Sequence, residues 1–414
     1  MSGFVTRTFS RGEAIEKIAG LMGFPWVFEL SEPIPLEKAI GYPSGEDLIS
    51  ETPNPPFNRS LRDGYAVCSE DLTGTSESSP VFLILCGEVP MGKLPEFNIS
   101  RGCAALVHTG GAIPEGADAV VMIEDTSESG SAVEIRKSIQ SGENVLIEGE
   151  EFLTGQVIVE KGEIFNFRNI GSVASCGFAK VRLVDLKIAV ISTGDEIVPV
   201  GIPELLPGMI RDSNSSVIMA HLLRAGFRSR FMGIAGDDPG RLGDLFHEAL
   251  AGNDVVLLSG GSSVSVRDHS VELLRTLGEF EGDVPVRGLN ISPGKPTIVS
   301  GNASKKKIAV CLPGHPHSCS VICATFLVPL LRSAVRGKQE ELFKKIRLPA
   351  ASDIIGKSGV EEFIPARIDS NGEALPLWGK SGYVMALNSS DGFIRLSEQE
   401  ETVRCGKKVE VWLW

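Results

Sequence analysis

The sequence predicts a multidomain α/β protein, and three observations carry that reading. From about Lys187 short apolar runs alternate with helical segments. From Glu51 to about Thr126 short strand-like runs sit between Gly/Pro/Ser turns. After about Gly337 short strands return. Strands alternating with helices of this size predict a largely parallel sheet covered on both faces. The two strand-rich stretches predict small β domains, the second a barrel or sandwich. A chain of 414 residues has room for two to four domains at roughly 100–200 residues each.

The elements follow in order. Ser10 to Met22, SRGEAIEKIAGLM, reads as a helix with Ser10 as N-cap and Glu13 completing a capping box. VFLIL and CAALVH are strands of the first β domain, and GENVLIEGEEFLTGQVIVEKGE leads the chain back from it. KIAVIS is a buried strand ending in TGDE, and NSSVIMAHLLRAG is a helix. FMGIAG is a further strand, and DDPGRLGDLFHEAL a helix capped at Asp237 or Asp238. DVVLLSGG, RDHSVELLRTLG, KKIAVCLPGHP and SCSVICATFLVPLLRSAV continue the alternation. IRLPA, FIPARI, YVMAL, GFIRLS and KKVEVWLW are the terminal strands.

Hydrophobic residues make up 42% of the chain, enough for a sizeable core, and the formal net charge is -13. That charge argues against a phosphate-backbone binder of nucleic acid. A small anionic ligand stays compatible with it, because a bound divalent cation reverses the local field. The eight cysteines form no CxxC pair and no disulfide spacing. The first residues lack the apolar core of a signal peptide, and the apolar stretch Cys319–Leu331 is short for a bilayer and carries Pro329. A cytoplasmic enzyme with no membrane partner is the expectation.

Three predicted strands end in glycine-bearing turns: Thr193-Gly194-Asp195-Glu196, Ser259-Gly260-Gly261-Ser262-Ser263 and Pro313-Gly314-His315-Pro316. In an open parallel sheet, ligands bind beyond the carboxyl ends of the strands. Glycine lets backbone N–H groups approach an anion, and the helix N-termini that follow favour negative charge. Carboxylates recur there: Asp195, Glu196, Asp212 and Asp268, the last two also placed to cap helices. Carboxylates and an anionic ligand share a cleft when a hard cation lies between them, which points to Mg²⁺. Lys295 in SPGKP adds a candidate positive charge. No GxxxxGK[ST] loop and no GxGxxG occurs. In the first β domain, Asp63-Gly64 of PPFNRSLRDGYAV has the composition of a turn, and Thr109 lies in a turn-rich segment. A separate reading makes His315, His317, Cys319 and Cys323 a metal site, although their spacing fits no standard zinc pattern.

PPFNRSLRDGYAV, HTGGAIPEGADAVVMIED, STGDEIV, DSNS, LLSGGSSVSVRD, SPGKP and LPGHP, in this order, resemble the signatures of the molybdopterin molybdenumtransferase family. That family comprises the MoeA-type proteins and the C-terminal E domain of gephyrin. The resemblance runs from about Phe9 to Trp414. It implies four domains: an elongated linker (1–50 and 145–181), an inserted β domain (51–144), a molybdopterin-binding α/β domain (182–337) and a C-terminal β domain (338–414). It also implies a homodimer with its cleft between subunits. The substrates it implies are adenylylated molybdopterin, supplied by an upstream adenylyltransferase, and molybdate, with Mg²⁺ as the cation.

By motif, the resemblance gives Asp63, Asp212, Asp268 and Lys295 catalytic roles. It gives Thr109, Ser259, Gly260, Gly261, Ser262, Pro313 and Gly314 to the pterin, and Glu196, Asp212 and Asp268 to the metal. The chain departs from the family pattern at Ser292, where a basic residue is usual, and at His315 and Val264-Ser265-Val266. It departs again at Leu146-Ile147-Glu148, where the family is arginine-rich, and at Glu151, where the family has Asp. Several charges that hold oxyanions are thereby missing. The alternative expectation is a non-catalytic cofactor-binding paralogue.

Overall fold

The computed structural model describes residues 8–260, 264–277 and 285–414, and for 264–270 the backbone alone. The chain forms two compact units: Met1–Glu46, Lys161–Asn166 and Lys180–Trp414 in one, Asp47–Glu160 and Phe167–Ala179 in the other.

The larger unit is built on a six-stranded sheet: β1 (Ile188–Ser192), β2 (Ser229–Ile234), β3 (Val255–Ser259), β4 (Val286–Arg287), β5 (Ile298–Asn302) and β6 (Lys307–Leu312). The spatial order is β2-β1-β3-β6-β5-β4. The β1–β2, β1–β3 and β3–β6 pairs are parallel, as the alternating pattern predicts. β5 and β4 add an antiparallel edge that the pattern did not reveal. TIVSGN lacks a helix before it, and it reaches β6 through a tight turn in which Lys306 adopts a φ of 51°. Helices α1 (Asn214–Arg224), α2 (Pro239–Gly252) and α3 (Val264–Leu277) connect the strands. Asp238 caps α2, accepting the Arg241 N–H at 2.7 Å, with Pro239 in the first turn.

Both faces of the sheet are buried. Ile188 and Val190 of β1 pack with Ile15 and Ile18 of the N-terminal helix Arg11–Met22, which carries the expected Ser10–Glu13 capping box. Ala189 and Ile191 face the other way, onto Phe246 and Leu274. Full burial of such side chains contributes about 1.5–3 kcal/mol each, which is why β1 is apolar from Ile188 to Ile191 rather than alternating.

After β6 a 21-residue helical segment, Pro316–Arg336, runs through the core. Among the described residues it is the one helix long and apolar enough to cross a membrane, and its apolar window is buried inside the protein. Proline at 329 cannot donate to the Thr325 carbonyl. The helix widens to a π-turn over Cys323–Leu327, and Arg11 Nη1 donates to the Thr325 carbonyl at 3.0 Å instead.

The C-terminal sheet contains Lys344–Pro349, Glu361–Ile368, Ala374–Pro376, Gly392–Leu396 and Lys408–Leu413. The short strand Ile291–Ser292 joins it in parallel, with Ser292 opposite Glu362. YVMAL is not a strand: Met385–Asn388 forms a helical turn, and Tyr383, Val384 and Met385 are exposed. Met, Ala and Leu favour helix where no strand edge is available.

The smaller unit holds a second six-stranded sheet, in the order Ala119–Met122, Gly64–Val67, Cys103–Val107, Val81–Glu88, Ala132–Ile135 and Thr126–Ser129. Asp63-Gly64 is therefore a strand entry rather than a free turn. Glycine is required at 64, because a Cβ would lie 1.9 Å from the Val121 carbonyl oxygen.

Candidate functional site

The order β2-β1-β3 makes the chain reverse direction between β1 and β3. This is the switch point at which open α/β sheets leave a crevice. A cavity of about 430 Å³ lies there. Its floor is Ser192 and Thr193 at the end of β1 and Ser259 and Gly260 at the end of β3; Gly314, His315 and Pro316 after β6 form another wall. The Thr193 N–H donates to the Ser259 carbonyl at 2.7 Å, tying the two turns together. Gly260 has φ 126°, and a Cβ on it would lie 2.2 Å from the Thr193 carbonyl oxygen, so a side chain is excluded on both counts.

The acidic wall is set by a short parallel pairing of Ile197–Val198 with Ile210–Arg211, which brings Glu196 and Asp212 to the same cavity. Asp212 is 4% exposed. Its Oδ2 accepts Ser192 Oγ at 2.7 Å, and its Oδ1 accepts the Ser215 N–H at 3.1 Å. Asp212 thus caps α1 as well as facing the cavity. Asn214 donates through Nδ2 to the Gly314 carbonyl at 2.7 Å. Its Oδ1 is buried and has no partner. Helices α1 and Pro316–Arg336 both start at this cavity, so two positive dipole ends meet there.

Glu196, Asp212, Ser259, Gly260 and Gly314 therefore come together. Pro313 precedes Gly314 in the same turn. Lys295 is exposed and does not line this cavity. Gly261 and Ser262 lie outside the described residues, and of Asp268 only the backbone is described, on α3.

Asp63 and Thr109 belong to the smaller unit, where they meet. Asp63 Oδ1 accepts the Thr109 N–H at 2.8 Å, and that backbone hydrogen bond holds the Asp63 carboxyl below its ordinary range. His108 Nε2 pairs with Glu88 at 2.9 Å, and its Nδ1 lies 4.0 Å from Asp63. In the same unit Leu146 stands directly opposite Arg59 across an antiparallel pair. A basic residue is therefore paired with Leu146, in the stretch where the resemblance leads one to expect arginine.

The carboxylates lining the first cavity, Glu196 and Asp212, fit a hard cation; Asp237, outside that lining, has a buried Oδ1 without a partner. Asp237 has its carboxyl pushed up by burial, then by Asp195 and Glu196. Among the described residues no group of three or more His, Cys, Asp or Glu converges to hold a metal alone. A magnesium ion is normally held by one or two carboxylates plus ligand phosphate and water. The reading of His315, His317, Cys319 and Cys323 as a metal site is not met. His315 Nδ1 is engaged with Ser381 Oγ at 3.0 Å, and Cys319 and Cys323 are wholly buried. Burial and Cys319 push the Cys323 thiol well above its ordinary pKa. Their side chains are core.

Sequence reasoning did not single out Ser192 and Asn214 as site residues, although both lie inside quoted motifs, STGDEIV and DSNS, which were the available signal.

A glycine-floored cavity at the switch point of an α/β sheet, walled by carboxylates and helix N-termini, defines a binding protein for phosphorylated ligands. Comparison with known proteins narrows this class. Three family models match in chain order: the MoeA N-terminal region, domains I and II (residues 9–177), the probable molybdopterin binding domain (189–333), and the MoeA C-terminal region, domain IV (347–414). A protein of Methanocaldococcus jannaschii named for molybdopterin biosynthesis is 34% identical over 92% of this chain and 91% of its own length. Molybdopterin molybdenumtransferase 2 of Mycobacterium tuberculosis is 28% identical over 92% and 94%. A crystal structure of the molybdopterin biosynthesis MoeA protein from Pyrococcus horikoshii superposes with a TM-score of 0.76 at 34% identity, covering 98% of this chain and 99% of that one. The chain belongs to the MoeA family.

Proposed function

We propose that this protein is a molybdopterin molybdenumtransferase of molybdenum cofactor biosynthesis. It uses adenylylated molybdopterin and molybdate. The adenylate anhydride is hydrolysed, one water being consumed, so that AMP and the phosphorylated pterin separate; molybdate forms two Mo–S bonds to the dithiolene and loses one oxygen, which leaves as water with the two thiol protons, molybdenum staying at the same oxidation level. The observation that carries this reading is the switch-point cavity, in which Gly260, Gly314 and two helix N-termini meet Glu196 and Asp212. Curated relatives bearing the transferase name span almost the whole chain.

In this reading the Gly260 and Gly314 turns receive the pterin and its phosphate, and Thr193 and Ser259 fix the floor. Glu196 and Asp212 hold Mg²⁺, with Asp268 as a further ligand; the ion supplies charge neutralisation between carboxylates and phosphate. Asp63 and Thr109 act from the inserted β domain, and Lys295 adds positive charge. The same proposal includes the four-domain division given above, a homodimer, an adenylyltransferase as supplier and a cytoplasmic location. Single-turnover assay of AMP release from adenylylated molybdopterin, with and without molybdate, tests it. Bound pterin with no AMP released under any oxyanion would contradict it.

A further inference from the structure

The sheet of the smaller unit sets two cysteines side by side. The strands Val81–Glu88 and Cys103–Val107 pair in parallel, with Ile84 opposite Cys103 and Leu85 opposite Ala104. The register then slips, so that Gly87 faces Ala105 and Cys86 is the extra residue of a bulge. A bulge re-aims the side chain of its extra residue. Phe82, Ile84 and Cys86 alternate along the exposed side of their strand, with Leu83 buried on the other. Cys103 is half-buried at the start of its own strand.

The two thiols share a hydrogen bond. That bond is the first cause of a Cys86 pKa pushed up to about 11 and of a Cys103 pKa held below its ordinary value. The proton thus stays on Cys86, and Cys103 is the sulfur that ionises first. Ser100 adds a second donor, its Oγ lying 3.6 Å from Cys103 Sγ. The Cys103 N–H closes the turn onto the Ser100 carbonyl at 3.1 Å, which holds that hydroxyl in place. Asp71, accepting the Gly102 N–H at 2.8 Å, opposes ionisation by its charge. Another close pair, Cys319 and Cys323, is wholly buried, and burial raises the Cys323 pKa. Thiol reactivity follows thiolate character and access to solvent. Both favour the pair in the smaller unit.

We propose that Cys86 and Cys103 form a redox-active dithiol that exchanges with low-molecular-weight disulfides. The Cys103 thiolate attacks one sulfur of the disulfide, whose S–S bond breaks, and the first small thiolate leaves. Cys86 then attacks Cys103 Sγ in the mixed disulfide. The Cys86–Cys103 bond forms, and the second small thiol leaves with the Cys86 proton. The protein dithiol is oxidised by two electrons, and the small disulfide is reduced to two thiols. The chemistry needs neither pterin nor molybdate.

The test treats reduced, full-length protein under native conditions with excess glutathione disulfide. Remaining thiols are then alkylated in denaturant and the peptides mapped by mass spectrometry, with thermal melting to check each variant for folding. Wild type should form an intramolecular Cys86–Cys103 link that dithiothreitol reverses, while Cys319 and Cys323 are recovered as thiols. Cys86→Ser should stop at the glutathione adduct of Cys103. Cys103→Ser should react at Cys86 at least about tenfold more slowly than wild type reacts. Wild type that stays reduced, or that links only between molecules, would overturn the proposal whatever the variants do. So would a folded Cys103→Ser reacting at the wild-type rate, or a folded Cys86→Ser with no adduct on Cys103.

Discussion

Asp63 accepts the main-chain N–H of Thr109 at 2.8 Å, locking together two segments that are 46 positions apart. The contact presets an ionised carboxylate beside a turn, since the hydrogen bond favours the charged form. Asp63 is largely exposed, so Asp63→Ala should leave the melting temperature nearly unchanged. AMP release should fall by about a hundredfold or more if the carboxylate takes part in the chemistry. Wild-type turnover in the variant would remove Asp63 from the site.

Asp212 differs in being buried. Removing its carboxylate leaves Ser192 Oγ–H and the Ser215 N–H without their acceptor, at about 1–3 kcal/mol for each buried group. Asp212→Ala should therefore lose both stability and activity. Asp212→Asn, which keeps an acceptor oxygen for one of them, should recover part of the stability and little of the activity. Urea denaturation alongside the turnover assay separates the two, and full activity in Asp212→Asn would contradict a cation-binding role.

Gly260→Ala tests the cavity floor. A methyl group there would meet the Thr193 carbonyl oxygen at 2.2 Å, on a backbone with φ 126°. The floor must move, and pterin affinity should drop by at least about tenfold, more than any loss of chemistry would explain. Equilibrium binding of molybdopterin to the variant checks this; unchanged affinity would mean that the pterin does not sit on this turn.

Gly260, Gly314 and Asp212 show what the sequence makes legible. Gly260 and Gly314 stand out because strand runs and turn residues are local signals, and three such turns on one sheet must lie at one edge. Asp212 stands out as a carboxylate before a helix. The partners of these groups are not local. Asn214 and Ser192 gain meaning only when β1 and α1 face each other, and Cys86 meets Cys103 through a strand register between residues apart in sequence. YVMAL misled because apolar composition alone cannot separate a strand from an exposed helical turn.

Stability should depend on two histidines. Burial, and for His221 also Arg224, lowers the pKa of His221 to about 4, and burial alone lowers His317 to about 4. Both fold neutral, whereas the unfolded chain protonates them near 6.5. Between those values the unfolded state holds more protons, so stability is complete above about pH 6.5 and declines as the pH falls toward 4. The loss is up to roughly 3 kcal/mol for each group. Urea denaturation at pH 7.5 and pH 5 should show a clear decrease at pH 5, reduced by about half in His221→Gln. Equal stability of wild type at the two pH values would contradict the burial of neutral imidazoles.

The central claim is that carboxylates and an anionic substrate meet in the switch-point cavity through a divalent cation. The direct measurement is single-turnover AMP release from adenylylated molybdopterin plus molybdate, by protein stripped with chelator and then supplied with Mg²⁺. The account predicts negligible release after stripping and recovery on addition of Mg²⁺, with molybdenum appearing on the pterin in step with AMP. Full release by the stripped protein, after verified metal removal, would contradict it.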